Sequence, residues 1–119
     1  ILSEVDQIED VPFLVSHLDQ LGLRDIRELA IVSVDGDSME PTAPNGSFAL
    51  IDRSSKTLAD GVYAIAVDDL LRIKRLRKRV TGEVDILSDN TLYSPETIQG
   101  EDLNQLRIIG RVRWIGKWL

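Results

Sequence analysis

The chain contains no cysteine and a single histidine, His17, among its 119 residues. Disulfides and thiolate metal sites are therefore excluded, and nothing about redox compartment follows. One imidazole cannot build a histidine-based zinc site, so neither a metal nor a cofactor is expected. Long apolar runs are also missing: nothing approaches the stretch of about 18 residues that spans a bilayer, and no basic start leads into an apolar signal segment. The expectation is a soluble, cytoplasmic domain with no membrane partner. Positive charge is in short supply, with 14 Lys and Arg against 20 Asp and Glu and a net charge of -6. Binding to a nucleic-acid backbone rests largely on Lys and Arg neutralising phosphates, so this domain is not expected to grip one by itself.

What is present is the make-up of one globular domain, with a hydrophobic fraction of 43% and enough length for a real core. Residues 1–9 are acidic and aperiodic and read as an arm or linker end; 10–119 read as the domain. Asp10 can cap a helix, Pro12 suits its first turn, and Phe13, Leu14, Leu18 and Leu21 recur near helical spacing until Gly22. His17 lies in this helix, as a surface or edge residue, or as an acid or base by virtue of a pKa near about 6.5. One further turn is expected over 23–29, with Asp25 as its cap. From there short runs rich in Val, Ile and Leu alternate with Gly, Asp, Asn and Ser, and predict strands over 28–35, 47–53, 61–67, 70–77, 83–88 and 106–115. The fold class is mainly β: an antiparallel domain with one short N-terminal helix. Two hairpins are expected, one turning at Asp68-Asp69 and one near Val80-Thr81-Gly82.

Two stretches carry chemistry. In Val34-Asp35-Gly36-Asp37-Ser38-Met39-Glu40-Pro41-Thr42, a turn follows directly on an apolar strand. Gly36 opens backbone angles closed to other residues, and Asp37 and Pro41 favour a tight reversal, so Ser38 stands out from the strand end with its amide free. That seats a nucleophile, although turns of this composition mostly mark ordinary loops. The second stretch, Arg72 to Arg79, gathers six of the fourteen basic residues. It reads as a charge-protected edge strand, as a phosphate stripe weakened by the lack of interleaved aromatics, or as the seat of a catalytic lysine. On the last reading Lys74, flanked by Ile73 and Leu76, turns into a partly apolar pocket, where burial and the like charges of Arg72 and Arg75 weaken its hold on a proton. A neutral amine beside Ser38 could take the hydroxyl proton, a form of nucleophilic catalysis that needs no histidine.

Gly36-Asp37-Ser38-Met39-Glu40-Pro41-Thr42 and Ile73-Lys74-Arg75-Leu76, taken together, resemble the motif pair of the C-terminal domain of LexA and phage lambda CI-type repressors, the Ser-Lys self-cleaving peptidases of family S24. Lys74 lies 36 positions after Ser38, a spacing that fits the family. Asn45-Gly46-Ser47 followed by Phe48-Ala49-Leu50-Ile51 is similar to the family's segment after the serine. Ser88-Asp89-Asn90 with Tyr93 and Pro95 is similar to a loop of its prophage branch, and Ile109-Gly110-Arg111-Val112-Arg113-Trp114-Ile115-Gly116 to its last strand. The likeness runs from about Val34 to the end, and the ordered combination is far more specific than either motif alone.

The resemblance implies a compact, bent all-β domain that forms a homodimer and is joined by a linker to an N-terminal helix-turn-helix domain outside this chain, through which operator DNA is bound. It implies that Ser38 attacks a linker peptide carbonyl, that Lys74 is the general base and then the proton donor to the leaving amine, and that the amides of the Asp37, Ser38 and Met39 turn form the oxyanion hole. Activated RecA filament is the implied partner that promotes cleavage in an SOS response, after which repression falls because the avidity of two linked half-sites is lost. One departure stands out: the family cleaves at Ala-Gly or Cys-Gly, and this chain has neither. The scissile bond is expected near or before Ile1, so that the chain is a cleavage product, a piece trimmed of its own target, or part of a repressor that never cleaves. The alternatives are a non-cleaving dimerisation or antirepressor-binding module and a UmuD-like polymerase accessory subunit. Bacterial signal peptidase shares both motif elements but needs a membrane anchor. For the dimer, Ile109, Val112, Trp114 and Trp118 are the expected apolar contacts; alternatively, both tryptophans close the core.

Overall fold

Seven strands follow one another almost without helix in the computed structural model, which describes residues 26–119: β1 (Leu29–Ser33), β2 (Phe48–Asp52), β3 (Gly61–Val67), β4 (Leu70–Lys78), β5 (Val84–Leu87), β6 (Glu96–Ile98) and β7 (Arg107–Gly116). They form one sheet in the order β1-β2-β7-β3-β4-β5-β6, with every neighbouring pair antiparallel. The fold is thus the mainly β, antiparallel one that the sequence indicates. The six expected strands are all there. Two elements were not expected: the short β6, and the 3-10 segment Gly100–Gln105 that leads into β7. A 3-10 turn at Ile26–Glu28 falls in the region read as one further turn. The expected helix over 10–21, with His17, and the arm over 1–9 lie outside the described residues.

The hairpins form where the turn chemistry placed them. Val67 pairs with Leu70 across Asp68-Asp69, and both aspartates have positive φ, 52° and 62°, as a two-residue turn that matches strand twist requires. Beyond β4 the chain reverses through residues 79–83, where the Arg79 amide donates to the Glu83 carbonyl at 2.8 Å. Strand β7 is inserted between β2 and β3, and its register slips against each of them, at Leu50/Ile51 and at Ala64/Ile65. Such irregularities bend and twist a sheet. Gly110 permits the close contact there, since a Cβ on it would lie 2.5 Å from the Asp52 carbonyl oxygen.

Alternation along the strands divides the apolar side chains between the sheet's two faces. Small residues, Ala30, Ala43, Ala49, Ala64 and Ala66, pack with Val32, Val34, Met39, Ile51 and Ile109. Larger ones, Tyr63, Ile65, Leu76, Val84 and Ile86, fill a second cluster, and a third holds Leu29, Ile31 and Leu50 with Phe48 and Trp114 against them. The alanine-rich cluster lets the segment after β1 settle onto the sheet with Met39 as its anchor. None of the helices among the described residues is long and apolar enough to cross a membrane.

Candidate active site

The excursion between β1 and β2 is held shut like a ladder. The Val34 amide donates to the Ser47 carbonyl and the Gly46 amide to the Val34 carbonyl, both at 2.8 Å. At its tip Gly36 has φ +87°, the left-handed conformation that its lack of a Cβ permits. Inside the loop the Glu40 amide reaches the Asp37 carbonyl and the Ala43 amide the Met39 carbonyl, while the Asn45 side chain accepts from the Gly36 amide at 2.8 Å. Met39, buried in the alanine-rich cluster, pins the turn from below and leaves Ser38 half-exposed above. Among the described residues, no acceptor takes the amides of Ser38 or Met39.

Lys74 comes from β4, where it lies directly opposite Tyr63 of β3. Ser38 and Lys74 line one cavity of about 460 Å³, together with Val32, Val34, Met39, Leu71 and Ile73 on its apolar side and Arg72, Ile86, Ser88, Tyr93 and Glu96 around the rest. The Lys74 amine is half-buried, and burial is the main reason that its proton affinity is pushed below the ordinary lysine value; Arg72 pushes the same way and Glu96 opposes. Its hydrogen bond goes to Ser88 Oγ at 2.8 Å, and among the described residues none joins it to Ser38. The Tyr93 ring lies 6.0 Å from Nζ, within range for a cation–π attraction.

Residues 88–93 form a clamp across the cavity, and the sequence reading took from them only a family likeness. The Asn90 amide donates to the Ser38 carbonyl and the Asn90 side chain to the Asp37 carbonyl, each at 3.0 Å. The Tyr93 hydroxyl donates to the Asp37 carboxylate, which raises the phenol's pKa above its ordinary value. Asp89 receives the Arg75 guanidinium through two bonds of 2.8 Å and the Thr42 hydroxyl at 2.5 Å, and these partners hold its carboxyl below the usual carboxylate range. One loop thus ties the strand carrying Lys74 to the turn carrying Ser38. Ser88 and Asp89 are functional candidates that the linear pattern gave no reason to single out, because their partners lie 14 to 50 positions away.

The residues expected to face a dimer partner divide. Ile109 is buried in the alanine-rich core, and Val112 packs against the same cluster. Both therefore pack at least in part within the protomer, where the register shifts of β7 against β2 and β3 interrupt simple alternation. Trp114 lies partly buried against Leu29, Ile31 and Leu50, whereas Trp118 is 73% exposed. Among the described residues, no group of three or more His, Asp or Glu is placed to hold a metal ion.

Comparison with known proteins agrees with this architecture. Residues 4–113 match the family model described as Peptidase S24-like. The chain is 41% identical over 80 residues to the repressor protein CI of Enterobacteria phage phi80, covering 66% of this chain and 33% of that protein. It is 33% identical over 107 residues to an uncharacterised HTH-type transcriptional regulator of Haemophilus influenzae, covering 88% and 44%, and 30% identical over 83 residues to the 26 kDa repressor protein of Escherichia phage HK022, covering 69% and 35%. The chain therefore spans between a third and a half of the length of these relatives. With a match over nearly its whole length, this chain belongs to the Peptidase S24-like family.

Proposed function

We propose that this chain is the regulatory domain of a phage- or prophage-type transcriptional repressor, one that dimerises and cuts its own upstream linker with a Ser38–Lys74 dyad. The observation that carries the reading is that Ser38 and Lys74 line the same cavity, with the amine's proton affinity lowered chiefly by burial. The relatives that carry the name repressor support the regulatory part.

In the proposed reaction Ser38 Oγ attacks the carbonyl carbon of the scissile peptide and passes its proton to neutral Lys74 Nζ. The uncommitted amides of the Ser38 turn face the developing oxyanion, and such donors are typically worth about 3 to 4 kcal/mol each in the transition state. The tetrahedral adduct collapses as the C–N bond breaks, Lys74 returns the proton to the leaving amine, and water, deprotonated by the same amine, hydrolyses the Ser38 ester. Activated RecA filament is the proposed promoter of the reaction. DNA is bound through a helix-turn-helix domain upstream, which places the working protein in the cytoplasm. Dimer contacts fall to Trp118, with part of Trp114, since Ile109 and Val112 are engaged within the protomer.

The test uses the full-length repressor with its linker, held at alkaline pH or mixed with activated RecA filament. Two fragments are expected from the wild type and none from Ser38→Ala or Lys74→Ala. Cleavage persisting in both variants sinks the dyad, and an intact wild type under both conditions replaces this reading with a silent dimerisation module.

A further inference from the structure

Arg72 and Glu96 stand at the cavity without a place in the reaction just described. Arg72 shares a face of β4 with Lys74, two residues away. Glu96 is brought to the same face by β6, where it sits directly opposite Ile86 of β5. Both line the cavity. Their contact is loose: Arg72 Nη1 and Glu96 Oε1 are 3.9 Å apart, and the two side chains are 41% and 64% exposed. A pair this open contributes little to stability, so the stability of the fold does not account for its position beside Lys74.

Other charged and titratable groups also face the cavity or Lys74. Asp37 accepts from Tyr93, and Ser88 accepts from Lys74 itself. From the turn side Asp35 lines the cavity. Tyr63, opposite Lys74 in β3, sends its hydroxyl away to the Thr57 carbonyl. Arg75 points to the other face, onto Asp89. Of the charges at the cavity, Arg72 and Glu96 act on the amine in opposite directions.

We infer that Arg72 and Glu96 are positioning residues that set when Lys74 is active: Arg72 favours the neutral amine, Glu96 favours the protonated one, and their ion pair balances the two across the cavity. The inference rests on Lys74 being the general base. Raising the amine's proton affinity keeps it charged and idle near neutral pH; lowering it frees the lone pair. Burial alone would leave a self-cleaving domain committed to one setting. A carboxylate acting against it holds cleavage back at neutral pH, and any partner or substrate strand that draws Glu96 onto Arg72 or away from the cavity releases the brake. The opposite directions in which Arg72 and Glu96 displace the Lys74 proton affinity agree with this.

The experiment is the pH–rate profile of self-cleavage in the full-length protein, for the wild type, Arg72→Gln, Glu96→Gln and the charge-conserving Arg72→Lys and Glu96→Asp. Removing the carboxylate should move the midpoint to lower pH and speed cleavage near neutrality about threefold, while removing the guanidinium should move it to higher pH and slow cleavage by about as much, each a shift of roughly half a pH unit. Both shifts should shrink as salt rises from about 0.05 M to about 1 M, and the charge-conserving variants should restore the wild-type midpoint. A merely structural role would lower the whole profile without moving its midpoint. Unchanged midpoints in both Gln variants, in a protein whose cleavage is lost on Ser38→Ala, overturn the inference and leave the dyad standing. Cleavage that survives Ser38→Ala overturns the dyad itself.

Discussion

On one face at the end of β4, Arg77 and, just beyond the strand, Arg79 close upon a single carboxylate; on the other face, Arg72 and Lys74 line a cavity and are only loosely held. The first arrangement is saturated. Asp85 of β5 accepts from Arg77 Nη2 at 2.8 Å, forms an ion pair with Arg79 Nη2 at 2.9 Å, and takes the Thr97 hydroxyl of β6 at 2.8 Å. It is 1% exposed and joins three strands at one point. The second arrangement has, among the described residues, one hydrogen bond, from Lys74 to Ser88, and one ion pair at the limit of contact. The same strand therefore uses charge in two ways. Where every lone pair is met, charge fixes the sheet; where the amine is half-buried and loosely held, charge is left to titrate, as the proposed role of Lys74 requires.

The largest expected effect lies on the saturated face. Asp85→Ala leaves two guanidinium groups without their carboxylate and β6 without its tether, and is expected to lower Tm by on the order of 10 °C in thermal unfolding. The pH dependence has a definite sign. Asp85 is held far below the usual carboxylate range, mainly by the Arg79, Thr97 and Arg77 hydrogen bonds. A group with a depressed folded pKa contributes stability in full above its unfolded value, about 3.9, and loses it as pH falls through the folded one. The stability gap between wild type and Asp85→Asn should thus be constant near neutrality and narrow below about pH 4. A gap that instead widens on acidification would show that Asp85 does not carry the load on that face.

Asp89 sits between the two regimes, because it fixes β4 to the turn of Ser38 through Arg75 and Thr42. Asp89→Asn keeps the shape but weakens the two-pronged bond to Arg75. The expected result is a smaller loss of Tm than at Asp85 and a fall of about tenfold in self-cleavage, since misplacing a reacting group by a fraction of an ångström costs rate more than stability. Equal losses at Asp85 and Asp89 on both measures would erase the distinction between a structural and a positioning carboxylate.

Much of this division could be read in the sequence, and the missing part is instructive. The strands, the hairpin turn at Asp68-Asp69 and the opposite facing of Lys74 and Arg75 follow from period-two alternation and turn chemistry, which are local. The basic run Arg72 to Arg79 is ambiguous in sequence because its partners are not local: Asp85 lies on β5, Asp89 in the loop after it and Glu96 on β6, and only the register of β4 against β5 brings Asp85 opposite Arg77. Strand β6 escaped notice because Glu96, Thr97 and Ile98 are too few to show alternation, and only Ile98 is even partly buried. Ile109 and Val112, read from the sequence as dimer contacts, pack against the protomer's core because of where their strand inserts, between β2 and β3. Gly36 and the place after a strand mark Ser38 as a candidate in the sequence; Ser88, the serine that hydrogen-bonds Lys74, looks like any loop serine.

Ser88 therefore offers the subtlest break. Its hydroxyl orients the Lys74 amine at 2.8 Å and lines the cavity with it. Ser88→Ala removes one hydrogen bond without opening the core, since Ser88 is only half-buried. A single bond of this kind is worth about 1 kcal/mol net, so self-cleavage should fall about fivefold while Tm stays within about 2 °C of the wild type. Ser88→Thr, which keeps the hydroxyl, should recover most of the rate. That recovery separates orientation of the proposed base from simple packing, because the larger threonine would worsen a packing defect. If Ser88→Ala cleaves at the wild-type rate, Lys74 finds its geometry from β4 and the apolar wall of the cavity alone, and the loosely held face of β4 is looser than its single hydrogen bond implies.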